Sequence, residues 1–353
     1  MSKRPRKARP KYQTIEEFIQ KQVADGRFAS GSMIWSESRF MRHFDVSANT
    51  VQKALAGLVR EGVLYRRQGK GTFVSDATPL PAPARLVGVV LPAGSNPDAN
   101  HFQMELLKGI RSALAPGQTE LIFREPGQKL GRAVAGTMLT GALLVTPTLD
   151  ERDEIHKLGR RLPSVAISSH LEGGGTPYVA FDNRAGARAA VEHLIDRGHE
   201  RVAFVSGGSR KTAKAERREG YDLALSSRGI EADPELVVTV KSFDERGGEA
   251  AAAHLARISP MPTAAFAAND LLALGMIRAL QALGTRVPDD VAIAGFDDLA
   301  PARYAAPALT TVGGSIRDMG RAAVELLDEV IESPGDEHAP RVLPAKLIVR
   351  ESS

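Results

Sequence analysis

The hydrophobic and polar positions near the N-terminal end of the chain predict a helix followed by a two-stranded hairpin. Four apolar residues recur at helical spacing and form one stripe, namely Val51, Leu55, Leu58 and Val59. We expect this helix to begin after Ser47, a favourable N-cap, and to stop at Gly62. Apolar runs at 63–65 and 72–74 predict two strands, and the basic stretch Gln68-Gly69-Lys70-Gly71 predicts the turn between them. This order is typical of a winged helix, whose helix enters the major groove of DNA while the hairpin tip contacts the neighbouring groove or backbone.

Two further helices are predicted before this one. The first shows apolar residues at helical spacing, namely Ile15, Ile19 and Val23. We expect Thr14 and Glu17 to form a capping box at its start. The second should run from Ser36 to Phe44, with Phe40, Met41 and Phe44 facing inward. The helix-turn-helix proper is then expected at about residues 36–55.

Two sequence stretches, FDVSANTVQKAL and LVREGVLYRRQGKGTFV, carry a resemblance to a known family. Extended back to Tyr12, this segment resembles the winged helix-turn-helix of the GntR family. The resemblance implies that DNA is contacted by a set of residues on the second and third helices and the wing: Ser36, Ser38, Ser47, Ala48, Asn49, Thr50, Gln52, Lys53, Gln68, Gly69 and Lys70.

The segment departs from the family pattern at positions that face DNA in the family. Trp35-Ser36-Glu37-Ser38 stands where the family usually has Pro-Ser-Glu-Arg. Ala48 and Gln52 stand where arginine is usual. Since Asn and Gln favour contacts to adenine whereas Arg favours guanine, the usual operator sequence of the family cannot be carried over.

From residue 85 onward, short apolar strands alternate with amphipathic helices. Strands are predicted at 86–91, 120–123, 142–145, 165–167, 202–205 and 291–295. Helices are predicted at about 106–114, 187–195 and 272–283. This alternation predicts parallel sheets with helices on both faces. The roughly 270 residues exceed what one such unit needs, so we expect two lobes.

The stretch Ser75–Ala84, which reads SDATPLPAPA, predicts a domain boundary. Its three prolines and its lack of an apolar period indicate an extended, fairly stiff linker. The expected organisation is therefore a winged-helix domain at 1–76 with a basic tail at 1–11, a linker at 77–84 and a two-lobed domain at 85–353.

The second domain resembles the effector-binding domain of the LacI/GalR family, which shares its fold with periplasmic sugar-binding proteins. The resemblance rests on VAFDNRAGARAAVEHLIDRGHERVAFVSG, AFAANDLLALGMIRALQALGTRVPDDVAIAGFDD, LTTV and LIVRESS. It implies an α/β fold with two doubly wound lobes, the first at about 85–180 plus a helix near 316–330, and the second at 181–310 plus a last strand at 346–349. A GntR-type head on such a body resembles arabinose-responsive repressors, which does not make arabinose the effector.

The LacI/GalR resemblance also implies an effector site between the lobes. Its candidate side chains lie at or near the ends of predicted strands and helices: His101, Phe102, Asp182, Arg217, Phe243, Asn269 and Asp297. Asp182 is equally well explained as a helix N-cap, and Phe243 as core packing. Which of Asn100, His101 and Phe102 faces the cleft stays open, because their loop is longer than usual. We expect Asp270 to cap a helix and Asp298 to bind backbone.

Composition narrows the function further. Residues 1–76 carry 15 Lys and Arg against 7 Asp and Glu, whereas the remainder carries 31 against 35. A basic first domain on an acidic second one indicates that the first meets a polyanion. The chain has no cysteine, which excludes disulfides and thiol catalysis. The basic N-terminus lacks the apolar core of a signal peptide and no apolar run is long enough for a membrane span, so we expect a cytoplasmic protein.

The favoured interpretation is a transcriptional regulator, most simply a repressor, that binds double-stranded operator DNA as a homodimer. A small sugar-like effector, a monosaccharide or derivative, would control it; a sugar phosphate stays open. A sugar-binding receptor is the alternative, although the basic head opposes it. We do not expect an enzyme, a cofactor or a metal site. No nucleophile elbow is present, and the Gly69–Thr72 stretch lacks the spacing of a phosphate loop.

Overall fold

The computed structural model describes residues 11–60, 62–67, 70–75, 85–95, 100–171, 175–208 and 212–353. The chain divides into two compact units, 1–84 and 85–353, which are called the head and the body below. The basic tail up to residue 10, the wing-tip residues Gln68 and Gly69, and the linker at 77–84 lie outside the described residues.

Within its described residues, the head forms three helices and one hairpin. Its elements are α1 (Lys11–Ala24), α2 (Glu37–Phe44), α3 (Ala48–Arg60), β1 (Leu64–Arg67) and β2 (Gly71–Val74). The two strands pair antiparallel with Leu64 opposite Val74. Asp45 makes the turn between α2 and α3 in the left-handed region, at a φ of 48°. The winged helix predicted from the apolar pattern is therefore present.

The predicted capping box at Thr14 and Glu17 is wrong, because α1 begins at Lys11 and Thr14 lies inside the helix. Tertiary contacts explain the additional turn. The Lys11 ammonium donates to the carbonyl of Asp45 at 3.1 Å, and Tyr12 packs against the head core.

The head core is built from the stripe of α3 and an aromatic cluster. Val51, Leu55 and Leu58 are buried together with Ile15 and Ile19 of α1. The single tryptophan, Trp35, lies at the centre of the aromatic cluster, with ring centroids 5.3 Å from Phe18, 5.9 Å from Phe28 and 5.4 Å from Phe40. Because one face of α3 is taken up by this core, its opposite face is left to solvent.

In the part of the body that the structure describes, the fold is α/β with two six-stranded sheets. The first sheet contains β3 (Val87–Val90), β4 (Thr119–Ile122), β5 (Gly141–Val145), β6 (Ser164–Ile167), β7 (Tyr178–Phe181) and β13 (Arg341–Leu343). The second contains β8 (Val202–Gly207), β9 (Val237–Val240), β10 (Ala264–Ala267), β11 (Ala292–Phe296), β12 (Thr310–Gly313) and β14 (Lys346–Ile348). The strand orders are β13-β7-β6-β5-β3-β4 and β14-β12-β11-β10-β8-β9. The strand pairs are parallel apart from β12 with β14, which confirms the predicted fold class.

Helices cover both faces of each sheet. In chain order they are α4 (His101–Ala113), α5 (Leu130–Ala133), α6 (Arg152–Gly159), α7 (Asn183–Asp196), α8 (Thr212–Ser227), α9 (Glu245–Leu255), α10 (Asp270–Ala282), α11 (Ala300–Tyr304) and α12 (Ile316–Glu332). Neighbouring residues of one strand bury on opposite faces, as Val89 and Val90 of β3 do. The late helix α12 packs on the first sheet and β14 joins the second, so the chain crosses between the lobes three times.

Helix α9 was not predicted, because Gly247 and Gly248 near its start are typical of a loop. The structure shows why a helix has glycine there. A Cβ on Gly248 would lie 2.1 Å from the carbonyl oxygen of Leu272, and one on Gly275 would lie 2.1 Å from that of Glu245. The two glycines therefore allow α9 and α10 to pack backbone against backbone.

Replacing Gly248 by Ala should force these helices apart. We expect the free energy of unfolding of the body to fall by about 1–3 kcal/mol, even though alanine is the better helix former. Denaturant unfolding followed by circular dichroism measures this change. Gly131→Ala is the matched control, because its new Cβ would meet Glu154 at an ordinary 3.6 Å. A Gly248→Ala protein as stable as the parent would refute the close-packing argument.

Candidate functional site

The exposed face of α3 presents polar side chains to solvent. Asn49, Gln52 and Lys53 are exposed, while Ala48 and Thr50 are partly buried. The hydroxyl of Ser47 lies 3.0 Å from that of Thr50 at the start of the helix. Ser36 and Ser38 are also exposed, at the start of α2, and Lys70 is exposed beside the hairpin. The predicted DNA-facing residues of the described head therefore lie at the surface on the helix-turn-helix and the wing.

Two of these side chains are held in place by neighbours. The amide nitrogen of Gln52 donates to the carboxylate of Glu37 at 3.1 Å, which leaves its carbonyl oxygen for another partner. The ammonium of Lys53 lies 4.1 Å from the ring centroid of Tyr12. Both long side chains are thus partly ordered before any ligand arrives, which lowers the entropy lost on binding.

The sequence reasoning did not single out three exposed arginines of the head. Arg39 lies on α2 over the ring of Trp35, at 4.2 Å from its centroid. Arg66 and Arg67 are exposed at the end of β1, next to the turn. Their position on a strand that leads into a basic turn is the signal that could have identified them. They extend the positive surface of the wing and suit it to a phosphate backbone.

The body contains a cleft of about 150 Å³ between its two lobes. It lies at the carboxyl ends of the strands, where parallel α/β sheets bind ligands. Five residues predicted for an effector line it: Phe102, Arg217, Phe243, Asn269 and Asp297. The prediction omitted Gln103, Thr146, Ser168 and Lys214, which also line it.

The structure places Asp182 and His101 elsewhere. Asp182 is exposed and accepts a hydrogen bond from the amide of Ala185 at 2.9 Å, so it acts as the N-cap of α7 and does not line the cleft. Asn100 caps α4 by accepting from the amide of Gln103, which turns Phe102 and Gln103 into the cleft. His101 lies in a separate surface cavity next to Glu105. The consecutive residues His101 and Phe102 therefore face different cavities, which the sequence alone could not assign.

Arg217 lies at the centre of the cleft wall that the second lobe forms. It is 5% exposed, and its three guanidinium nitrogens donate to Asn183 at 2.9 Å, to Asp297 at 3.2 Å and to the carbonyl of Ala268. Its guanidinium carbon lies 3.6 Å from the ring centroid of Phe296. Burial lowers the pKa of Arg217, and the charge of Asp297 opposes that shift. Each nitrogen has a protein partner, but Nη1 and Nη2 each carry a second N–H, so Arg217 holds Asp297 in position and can still donate to a ligand.

Asn269, rather than Asp270, caps α10. Its side-chain oxygen accepts from the amide of Leu272 at 2.8 Å, and its nitrogen donates to the carbonyl of Phe243 at 3.0 Å. The expectation for Asp270 is therefore wrong. Asp270 is fully buried and accepts from the amide of Leu299 and the hydroxyl of Thr311. Burial raises the pKa of Asp270 well above its usual range, and the nearby charge of Asp297 adds to the rise.

Asp298 also differs from expectation. Its carboxylate pairs with Arg350 at 2.5 Å and with Arg303 at 2.8 Å, so among the described residues its partners are side chains and not backbone groups. The reason is that β14 and α11 bring both arginines to the end of β11.

Strained backbone marks the strand ends that border the cleft. Thr146, Ser168 and Asp297 follow β5, β6 and β11, and they have φ values of 43°, 56° and 118°. Side-chain-bearing residues rarely adopt such values, and they persist where surrounding structure imposes them, often at binding sites. Their position at strand ends of both sheets, on either side of the cleft, independently marks the cleft as the functional face of the body.

A chain of hydrogen bonds connects this wall with the first lobe. Asn183, which accepts from Arg217, donates to Glu216 at 2.7 Å. The other oxygen of Glu216 lies 2.8 Å from Nδ1 of His170, and Nε2 of His170 lies 2.6 Å from the hydroxyl of Tyr178. His170 and Tyr178 belong to the first lobe, whereas the other members belong to the second. The Arg217 environment therefore extends across the lobe boundary.

Within the described residues, no group of three or more potential ligands is arranged to hold a metal ion. In the same part of the chain, no helix combines the length and the apolar character that crossing a membrane requires.

Comparisons with known proteins agree with both units. Residues 11–74 match the model of bacterial regulatory proteins of the gntR family, and residues 191–353 match that of the periplasmic binding protein-like domain. The HTH-type transcriptional regulator CelR of Thermobifida fusca is 35% identical over 253 residues, which cover 69% of this chain and 71% of that protein. The arabinose metabolism transcriptional repressor of Halalkalibacterium halodurans is 27% identical over 367 residues, covering 97% and 96%.

Solved structures give the same result. A complex of the transcriptional regulator CelR with cellobiose has a TM-score of 0.70 at 31% identity, covering 87% of this chain and 92% of that one. A LacI family regulator from Enterococcus faecium with bound ribose has a TM-score of 0.66 at 26% identity, covering 76% and 98%. These relatives are transcriptional regulators and not enzymes.

Removing the charge of Asp297 should destabilise the body. In Asp297→Asn, the buried guanidinium of Arg217 would lose its ion-pair partner, which typically costs about 3–5 kcal/mol. Asp182→Asn is the control, since asparagine is an equally good N-cap at that exposed position. Thermal and denaturant unfolding of both variants measure the difference. Equal stabilities would show that the Arg217–Asp297 pair is not important for the fold.

Proposed function

Because this chain belongs to the LacI family of transcriptional regulators, in which it carries a GntR-type head, we propose that it represses transcription from an operator under the control of a small effector. The effector binds in the cleft of the body and the winged helix binds the DNA. One observation carries the proposal: a polar cleft at the strand ends occurs in the same chain as an exposed recognition helix. Operator DNA lies in the bacterial cytoplasm, so the proposal places the protein there.

The lining of the cleft favours a hydroxylated effector. Asn100, Gln103, Thr146, Ser168 and Asn269 provide donors and acceptors at its edges. Phe243 provides an aromatic surface on which the apolar face of a sugar ring can stack. The named ligands of two similar structures, cellobiose and ribose, are both sugars. We propose a monosaccharide or a derivative of one for this chain.

The head is proposed to read DNA through the exposed face of α3. Asn49, Thr50, Gln52 and Lys53 approach bases or phosphates in the major groove, and Lys70 contacts the backbone from the wing. The free carbonyl oxygen of Gln52 can accept from the exocyclic amine of adenine. Glu37, which holds the other end of this amide, then acts as a positioning residue for base readout.

We propose that two chains form a homodimer and present two heads to a near-palindromic operator. Half-sites would then be spaced by about 34 Å or a multiple of it. Support comes from an apolar surface on the first lobe, where Leu121 on the edge strand β4 is 45% exposed and Phe123, directly after that strand, is 54% exposed. Met104 and Leu107 of α4 border the same surface. A second chain covering this surface would remove both the apolar area and the open sheet edge from water.

The two types of DNA contact should respond differently to substitution. Gln52→Ala should change base preference at one operator position, worth about 1–3 kcal/mol of discrimination, since it removes a base contact. Lys70→Ala should weaken binding to all DNA sequences alike. It should also reduce the slope of log affinity against log salt concentration by about one. Selection from a randomised DNA library, followed by binding titrations at several salt concentrations, measures both effects. Lys21→Ala, an exposed lysine on α1, is the control; if Gln52→Ala loses only general affinity, the readout assignment fails.

Effector binding should stabilise the full-length protein. A ligand at a hundred times its dissociation constant adds about 2.7 kcal/mol, which a thermal-shift assay against monosaccharides and their derivatives detects readily. Phe243→Leu should weaken the responding sugar by roughly 2- to 10-fold through lost stacking. Tyr304→Leu, at an exposed aromatic that does not line the cleft, should leave the response unchanged. A sugar that binds both variants equally well would not be bound in the cleft.

A further inference from the structure

Lys214 is the charged residue of the cleft that the site described above does not explain. It lies in the first turn of α8, one turn before Arg217, and it is partly buried while lining the cleft. The described residues provide neither an ion pair nor a side-chain hydrogen bond for its ammonium group. A lysine in this position is therefore available to a ligand.

The neighbouring charges leave the ammonium of Lys214 uncompensated. Arg217 and Asp297 neutralise each other within the wall. Glu216 is directed toward Asn183 and His170, away from the cleft lining. The raised pKa of buried Asp270 favours its neutral form. The described lining thus has a net positive charge, which a neutral sugar would not balance.

The start of α8 adds to this positive potential. The helix is 16 residues long, and its first turn contains no acidic residue. The N-terminal end of a helix carries a partial positive charge, and Ala213 and Lys214 both bring this end to the cleft. Burial lowers the pKa of Lys214, and a bound anion would oppose that shift by favouring the charged ammonium.

We propose that the effector of this chain is an acidic sugar, bearing one carboxylate or phosphate group that Lys214 binds at the amino end of α8. This inference rests on the proposed function, because it assumes that the cleft is the effector site. The hydroxyl groups of the ligand then contact the amide side chains of the cleft, and the ring lies against Phe243. The named sugars of the similar structures, cellobiose and ribose, carry no acidic group, so this feature would distinguish the ligand of this chain from theirs.

Matched ligand pairs test the inference on the full-length protein. Isothermal titration calorimetry measures the affinity for each ligand. The glucose series contains glucose, gluconate, glucuronate and glucose 6-phosphate, and the galactose series contains galactose, galacturonate and galactose 6-phosphate. In at least one series, the acidic member should bind roughly tenfold or more tightly than its neutral parent, as expected for a charge-assisted hydrogen bond. The carboxylate and phosphate arms then show which acidic group is preferred.

Lys214→Gln should reduce the affinity for the acidic member to about that of the neutral parent, while the neutral sugar keeps its affinity. Lys157→Gln is the control, because Lys157 is an exposed lysine on α6 that does not line the cleft. If neutral sugars bind and acidic ones do not, or if Lys214→Gln binds the acidic sugar undiminished, this inference is overturned while the proposed function stands. If neither neutral nor acidic sugars bind, the sugar-effector proposal itself is overturned.

Discussion

The buried ion pair between Arg217 and Asp297 is the interaction on which the effector cleft depends. A guanidinium removed from water must find a charge partner and acceptors for its hydrogens, and here these come from α7, from the end of β10 and from the end of β11. Three elements distant in sequence are thereby brought to one point. The carboxylate of Asp297 and its left-handed backbone are held at the edge of the cleft as a result.

The same pair connects the cleft with the lobe boundary. Through Asn183 and Glu216, Arg217 is linked to His170 and Tyr178 in the first lobe. A ligand that displaces Arg217 or competes for Asp297 changes contacts that span both lobes. Regulation in a two-lobed body requires such differential contacts, because an effector can shift an equilibrium only by interacting differently with its two states.

In the head, the packing of one face of α3 determines which side chains of that helix are left for DNA. The apolar stripe of α3 and the cluster around Trp35 bury one side, which leaves Asn49, Gln52 and Lys53 exposed. Glu37 then orients Gln52 from the preceding helix. Glu37 is thus the local partner of Gln52, which stands where arginine is usual. An arginine at position 52 would form an ion pair with Glu37, whereas Gln52 binds it through an amide hydrogen bond.

The sequence by itself determined the elements with strong periodicity, namely the winged helix and, in the body, six strands and three helices, because burial imposes a period of 3.6 or 2 on the apolar residues. It also singled out Arg217, Asn269 and Asp297 through a family resemblance. Only the tertiary structure decided that Asp182 caps a helix outside the cleft, that Phe102 and not His101 enters it, and that Lys214 lines it without a partner among the described residues. The physical reason is that a place at a strand end or a helix start fixes the backbone position of a residue. The direction and the partners of its side chain depend on elements that are far away in the chain.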